Sequence, residues 1–184
     1  MDFRRIVKLC MPSIMMAALA ASAVTARAQS NPLSAELKRM YTGSKDNITR
    51  AAEKMPEADY AFKPAPTVRN FGEEVAHVAQ FQMVFCGAAK GEQPANPAEG
   101  KTSKADLLAA LKASSDYCDA VYDSLTDASA TAPVKLFGRD FTKLGVLYLN
   151  VSHNNETYGT MVPYLRIRGI VPPSSEPRGQ GKKQ

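Results

Sequence analysis

Apolar residues recur every three or four positions in four long stretches of this chain, and none shows the two-residue alternation of a convincing strand. In the first, a helix from about Ser34 to Met55, one face collects Leu33, Leu37, Met40, Ser44, Ile48, Ala51 and Met55. Gly43 and Ser44 weaken that stripe; Pro32 suits the first turn and Pro56 closes the element. The second helix runs from about Asn70 to Lys90, with Phe71, Val75, Val78, Gln82 and Phe85 inward. Asn70 and Glu73 have the spacing of a capping box at its start. The third, about Ser103 to Thr126, carries Leu107, Leu111, Ser114, Cys118, Val121 and Leu125. Thr102 or Ser103 caps it, and Asp106 favours the positive end of its dipole. The fourth, about Phe141 to Arg168, is apolar almost all round in its first half, the mark of a buried helix. Pro163 predicts a bend in it, while Gly169 and Pro172-Pro173 predict its end.

These elements predict an all-α four-helix bundle. The connections, Glu57 to Asn70, Gly91 to Thr102 and Asp127 to Asp140, are longer than the roughly 2–8 residues usual between bundle neighbours. At least one is therefore expected to cross over the bundle. Leu136-Phe137-Gly138-Arg139, in the last of them, is too short to predict a strand. From Ser174 to Gln184 the chain is rich in Ser, Gly and Lys with no apolar side chain beyond one proline, too little apolar surface to offset the entropy of ordering, so this tail is expected to be disordered.

The N-terminus follows a different pattern. Arg4, Arg5 and Lys8 precede an uncharged apolar run from Leu9 to Val24, which ends in Ala26-Arg27-Ala28. This is the three-part form of a secretory signal peptide, and cleavage after Ala28 is expected. The run falls short of the ~20 residues that span a bilayer, so no membrane association is expected once residues 1–28 are removed. The folded domain then occupies 29–173, in a periplasmic or secreted protein.

Removing the leader changes the charge and the cysteine count. It holds Arg4, Arg5, Lys8 and Arg27 against Asp2, so the formal balance drops from +5 to +2. Apart from the tail, no basic cluster remains, and nothing supports nucleic-acid binding. Cys10 leaves with the leader, and the remaining pair, Cys86 and Cys118, reads as a disulfide in an exported domain, or as buried thiols in a reducing compartment.

Candidate chemistry centres on two histidines. His77 lies in the second helix at the edge of the apolar face, and His153 lies in the fourth, inside Ser152-His153-Asn154-Asn155-Glu156-Thr157. So polar a run in the most apolar helix is costly unless its groups find partners. Asn150, His153, Thr157 and Tyr164 share a face. Imidazoles are common ligands for zinc, nickel or iron, and Glu73, Glu74 or Glu156 would complete a site. The competing reading is a hydrogen-bonded polar cluster that fixes how the helices meet. Cys86 as a nucleophile, two turns beyond His77, is a weaker candidate than its pairing with Cys118. Other nucleophile patterns and glycine-rich phosphate loops are not recognisable.

Phe62 to Gln82 (FKPAPTVRNFGEEVAHVAQFQ) together with Ser152 to Ser174 (SHNNETYGTMVPYLRIRGIVPPS) resembles the DinB-like superfamily, in particular its exported members. The resemblance spans about Leu33 to Pro173. It implies a four-helix bundle of the DinB/YfiT-like type with a crossover connection, and often a homodimer. It also implies a divalent-metal triad of one histidine on the second helix and two on the fourth, four residues apart. His77 and His153 match two of these positions; the third is Thr157, whose un-ionised hydroxyl is a poor ligand. The implied function is a metal-dependent hydrolase or transferase with a degenerate zinc or nickel site. The alternative is a non-catalytic bundle that binds a small ligand or serves as an interaction module. Relatives include thiol-dependent transferases, whose cytosolic thiol cofactors would not be at hand after export.

Overall fold

A computed structural model describes residues 31–177. The predicted signal peptide, with Cys10, lies outside the described residues, as does the tail from 178 onward. Helices α1 (Pro32–Lys54), α2 (Phe71–Lys90) and α3 (Lys104–Ser124) are followed by a one-turn helix α4 (Asp127–Ala130). Strands β1 (Pro133–Leu136) and β2 (Arg139–Thr142) then precede the long helix α5 (Lys143–Ile167). The four long helices are those expected, with no end shifted by more than two residues. The hairpin is a correction.

The helix ends follow local chemistry. Asn70 Oδ1 accepts from the Glu73 amide at 2.7 Å while Glu73 Oε2 accepts from the Asn70 amide at 2.6 Å, the reciprocal box the spacing predicted. Gly91, at φ +80°, closes α2 in a conformation that a side chain would oppose. Ser103 rather than Thr102 caps α3, and Thr142 caps α5. The start of α1 borrows its cap from across the molecule: Asp127 accepts from the Leu33 and Ser34 amides and the Ser34 hydroxyl. Burial opposes ionisation of Asp127, but these donors outweigh it and hold the carboxyl below its usual range.

Pro133 pairs with Thr142 and Leu136 with Arg139, around a two-residue turn in which Phe137 (φ +50°) and Gly138 (φ +75°) are both left-handed. A phenylalanine is strained there and carries no sequence signal for such a turn, which usually announces itself as Asn-Gly. The strands are too short for a periodicity to register.

Around the bundle, α1 packs on α3 and α5, and α2 packs on the same two helices, so α1 and α2 lie diagonally. The α1–α2 and α3–α5 connections therefore both join diagonal helices, which explains their length. Within the first of them, the Tyr60 hydroxyl donates to Ala52 O and the Tyr60 carbonyl accepts from Gly72 N. The helix α5 continues through Pro163, whose exposed position turns the carbonyl lost from the ladder, that of Gly159, toward water.

The core divides into two apolar clusters. One holds Ile48, Met55, Phe71, Val75, Leu107, Leu111, Met161 and Leu165; the other holds Leu37, Tyr41, Phe85, Val121, Tyr122, Val146, Leu147 and Val151. Where they meet, every long helix contributes a buried polar side chain: Ser44, Gln82, Ser114 with Ser115, and Asn154. In the second cluster Cys86 and Cys118 form a disulfide between α2 and α3, with Cα atoms 5.4 Å apart.

The segment after α5 departs from expectation. Pro173–Ser175 forms a 3-10 turn, Ser174 exchanges hydrogen bonds with the Tyr158 hydroxyl at 2.9 Å, and Glu176 pairs with Arg50 and Lys54 on α1. Order thus extends beyond Pro173 because side chains of α1 and α5 hold a segment that has no apolar pattern of its own.

Candidate functional site

Helices α2 and α5 run antiparallel, with Phe71 beside Tyr164 at one end and Cys86 beside Asn150 further along. Between these levels the two histidines meet: His77 Nε2 and His153 Nε2 are 2.9 Å apart. Phe81, one turn after His77, stacks on His153 with centroids 4.8 Å apart and planes at 26°, and Phe85 closes another side of the ring at 5.5 Å. These rings hold the imidazoles by shape. The sequence reading places Phe85 on the inward face but gives neither phenylalanine a role at the site, although the four-residue spacing of His77, Phe81 and Phe85 is a visible cue.

Burial favours the neutral form of both imidazoles. Burial, then the positive charge of Arg69 and the neighbouring His153, push His77 down from 6.5 to about 4. Burial also lowers His153; the Glu156 charge opposes that shift and Arg69 adds to it. Two neutral rings at this distance share one hydrogen. His153 Nδ1 is buried without a protein partner, and an orphaned N–H costs more than an orphaned lone pair. The favoured tautomer therefore has His153 Nε2–H donating to His77 Nε2.

The expected completing ligands are elsewhere. Glu73 is spent on the capping box; Glu74 is buried beside Arg69 (3.7 Å), with burial raising its carboxyl; Glu156 is exposed. Among the described residues, no three of His, Cys, Asp and Glu converge. Thr157 is buried one turn from His153. Asn150 and Tyr164, predicted on the same face, serve other partners. Asn150 Nδ2 donates to the Tyr122 hydroxyl at 3.1 Å and lies against both disulfide sulfurs, while the Tyr164 hydroxyl donates to Arg69 O at 2.6 Å. His77 also forms part of the wall of an open cleft of about 650 Å³, together with Lys63, Thr67, Arg69, Gln80 and Asn96.

The donor set fits a divalent ion in part. With metal–nitrogen bonds of about 2.0–2.1 Å, nitrogens 2.9 Å apart suit two ligands at about a right angle. The same separation suits a hydrogen bond. Ligating histidines normally donate the second ring N–H to a fixed partner, and His153 Nδ1 has none in the protein. The two imidazoles therefore fit a weakly held ion with open positions, not a closed structural site.

The fold and the site are those of a four-helix bundle with two histidines paired between its second and last long helices. Residues 40–161 match the DinB superfamily, and the chain belongs to that superfamily. It is similar to the uncharacterized protein YjoA of Bacillus subtilis (strain 168), with 29% identity over 129 residues, covering 67% of this chain and 83% of YjoA. In fold it resembles a DinB-like protein of Bacillus cereus ATCC 10987 (TM-score 0.66, 17% identity, covering 74% of this chain and 93% of that one). It likewise resembles the crystal structure of YjoA (TM-score 0.62, 24% identity, with coverage of 74% and 93%).

Proposed function

We propose that this DinB-superfamily domain is exported and that His77 and His153 hold a divalent ion, zinc or nickel, with reduced affinity beside the Arg69 cleft. The observation that carries this reading is the convergence of two neutral imidazole nitrogens 2.9 Å apart, on rings wedged by Phe81 and Phe85. A bound ion would polarise a carbonyl or activate water, as hydrolysis or group transfer requires. The chain's own residues do the rest. His77 presents its Nε2 lone pair and His153 would present its own once its hydrogen moves to Nδ1, the phenylalanines restrict the rings, and Lys63 and Arg69 give the cleft wall donors for a polar substrate.

The test is titration of the purified, metal-free chain from Asn31 onward with zinc and with nickel, read by calorimetry. Weak binding that His77→Ala and His153→Ala abolish is the expected result; no binding in the wild type overturns the proposal. Thr157→His, which restores the third position, should raise affinity by at least tenfold. The orphaned His153 Nδ1 favours a second reading, in which the pair is a hydrogen-bonded element beside a ligand-binding cleft. Under that reading, Thr157→His leaves metal affinity unchanged.

A further inference from the structure

The polar level between the two apolar clusters is unusual in what it leaves unmatched. Gln82 and Asn154 stand at the same height on antiparallel helices, as the Cys86–Asn150 and Phe71–Tyr164 contacts on either side require. Ser44 on α1 and Ser114 with Ser115 on α3 complete the level. Some of its groups are matched locally: Ser44 donates to Tyr41 O, Ser114 to Leu111 O, and the Tyr41 hydroxyl to Ser115 O. Others are not. Gln82 Nε2, Ser115 Oγ, Asn150 Oδ1, both polar atoms of the Asn154 amide, and His153 Nδ1 are buried without a hydrogen-bond partner in the protein. Among the described residues these are all the orphaned buried side-chain atoms, and they gather on facing stretches of α2, α3 and α5.

Leaving so many amide and hydroxyl groups unmatched inside a bundle would cost each of them its full desolvation penalty. Buried polar groups in native proteins are nearly always matched, by protein or by internal water making about three hydrogen bonds. The set consists of amides, a hydroxyl and one imidazole nitrogen, with no carboxylate or ammonium to match an ion. Ser44 stands between Tyr41 and Ile48 on the buried face of α1, and Ser114 between Leu111 and Cys118 on that of α3, so small polar side chains occupy this level. We propose that the mid-bundle level binds a cluster of internal water molecules held by Gln82, Ser115, Asn150 and Asn154, and that one of them hydrogen-bonds His153 Nδ1. The level is then a hydrated plate between two dry half-cores. Asn154 acts through it as a positioning residue that sets the tautomer of His153. This inference concerns the metal-free protein and does not require an ion at the histidine pair.

Water–protein cross-relaxation in NMR on the disulfide-bonded, metal-free chain tests it. The expected result is cross-peaks from long-lived water to the side-chain amides of Gln82 and Asn154. Their absence, with those amides paired to each other, overturns the cluster whatever the outcome of metal titration. The link to His153 is read from its ring ¹⁵N shifts in Asn154→Leu and, should that variant not fold, in Gln82→Met. A folded variant should lose the water cross-peaks and move the His153 Nδ1 resonance by several ppm. Lost cross-peaks with an unmoved resonance overturn the coupling.

Discussion

The same two helices, α2 and α5, treat their buried polar groups differently along their length. Toward the disulfide, most groups are tied together, although Asn150 Oδ1 has no partner in the protein. Asn150 Nδ2 donates to Tyr122 Oη at 3.1 Å, Tyr122 donates to Leu147 O at 2.7 Å, and the Tyr122 ring stacks on Tyr41 at 4.0 Å. One turn away, His153 and Asn154 have unmatched atoms and the His77–His153 pair has a single shared hydrogen. A polar network whose members are satisfied defines one packing; one with spare capacity can accept something else. The site therefore falls at the under-satisfied level, braced from the disulfide side.

The largest effect should come from loosening the brace. Cys86→Ala with Cys118→Ala opens a cross-link of sequence separation 32. Chain entropy puts its contribution at about 3–4 kcal/mol, read as the loss in urea unfolding free energy relative to the oxidised protein. If stability is unchanged, the disulfide side is not the stronger part. Next, Tyr122→Phe removes the hydroxyl that serves both Asn150 and Leu147. A cost of about 1–3 kcal/mol is expected in the same measurement, since two buried groups lose a partner.

At the histidine side, pH provides the probe. His77 is held down at about 4 in the folded chain against 6.5 unfolded, so the unfolded state takes up protons first as pH falls. Stability contributed by the neutral ring is full above about 7, declines as pH drops from about 6.5 toward 4, and levels off below that. Thermal unfolding of His77→Gln should lack this share of the slope; an identical pH profile would mean that the ring is not held neutral by its surroundings. The smallest expected change lies at the hairpin tip. Phe137→Asn suits the left-handed conformation better and should raise stability by about 0.5–1 kcal/mol in denaturant unfolding, with no effect on the histidines.

Much of this was legible in the chain itself. The stripes of the first three predicted helices already contained Ser44, Gln82 and Ser114 at positions where an apolar residue would continue the pattern. The fourth showed its polar run around His153. Each looked like a local weakness, because a one-dimensional period does not say that four interruptions share a level. The hairpin escaped notice because its strands have four residues each and its turn lacks the usual residues. The turn at Pro173–Ser175 escaped because its partners, Tyr158, Arg50 and Lys54, are remote in sequence.

The sequence by itself determined the four long helices, a cap at Asn70 and another at Thr102 or Ser103, two cysteines that would pair in an exported domain, and the two histidines as candidate ligands with threonine at the third position. Those properties depend on spacing within a helix and on residue type, both of which are local. Only the tertiary structure decided that α1 and α2 lie diagonally, that the candidate carboxylates are engaged elsewhere or exposed, that two imidazoles meet at 2.9 Å between phenylalanine rings, and that the unmatched polar groups share one level. These depend on how the helices rotate and slide against one another. That registry is set by packing summed over the whole core, which no single stretch of sequence contains.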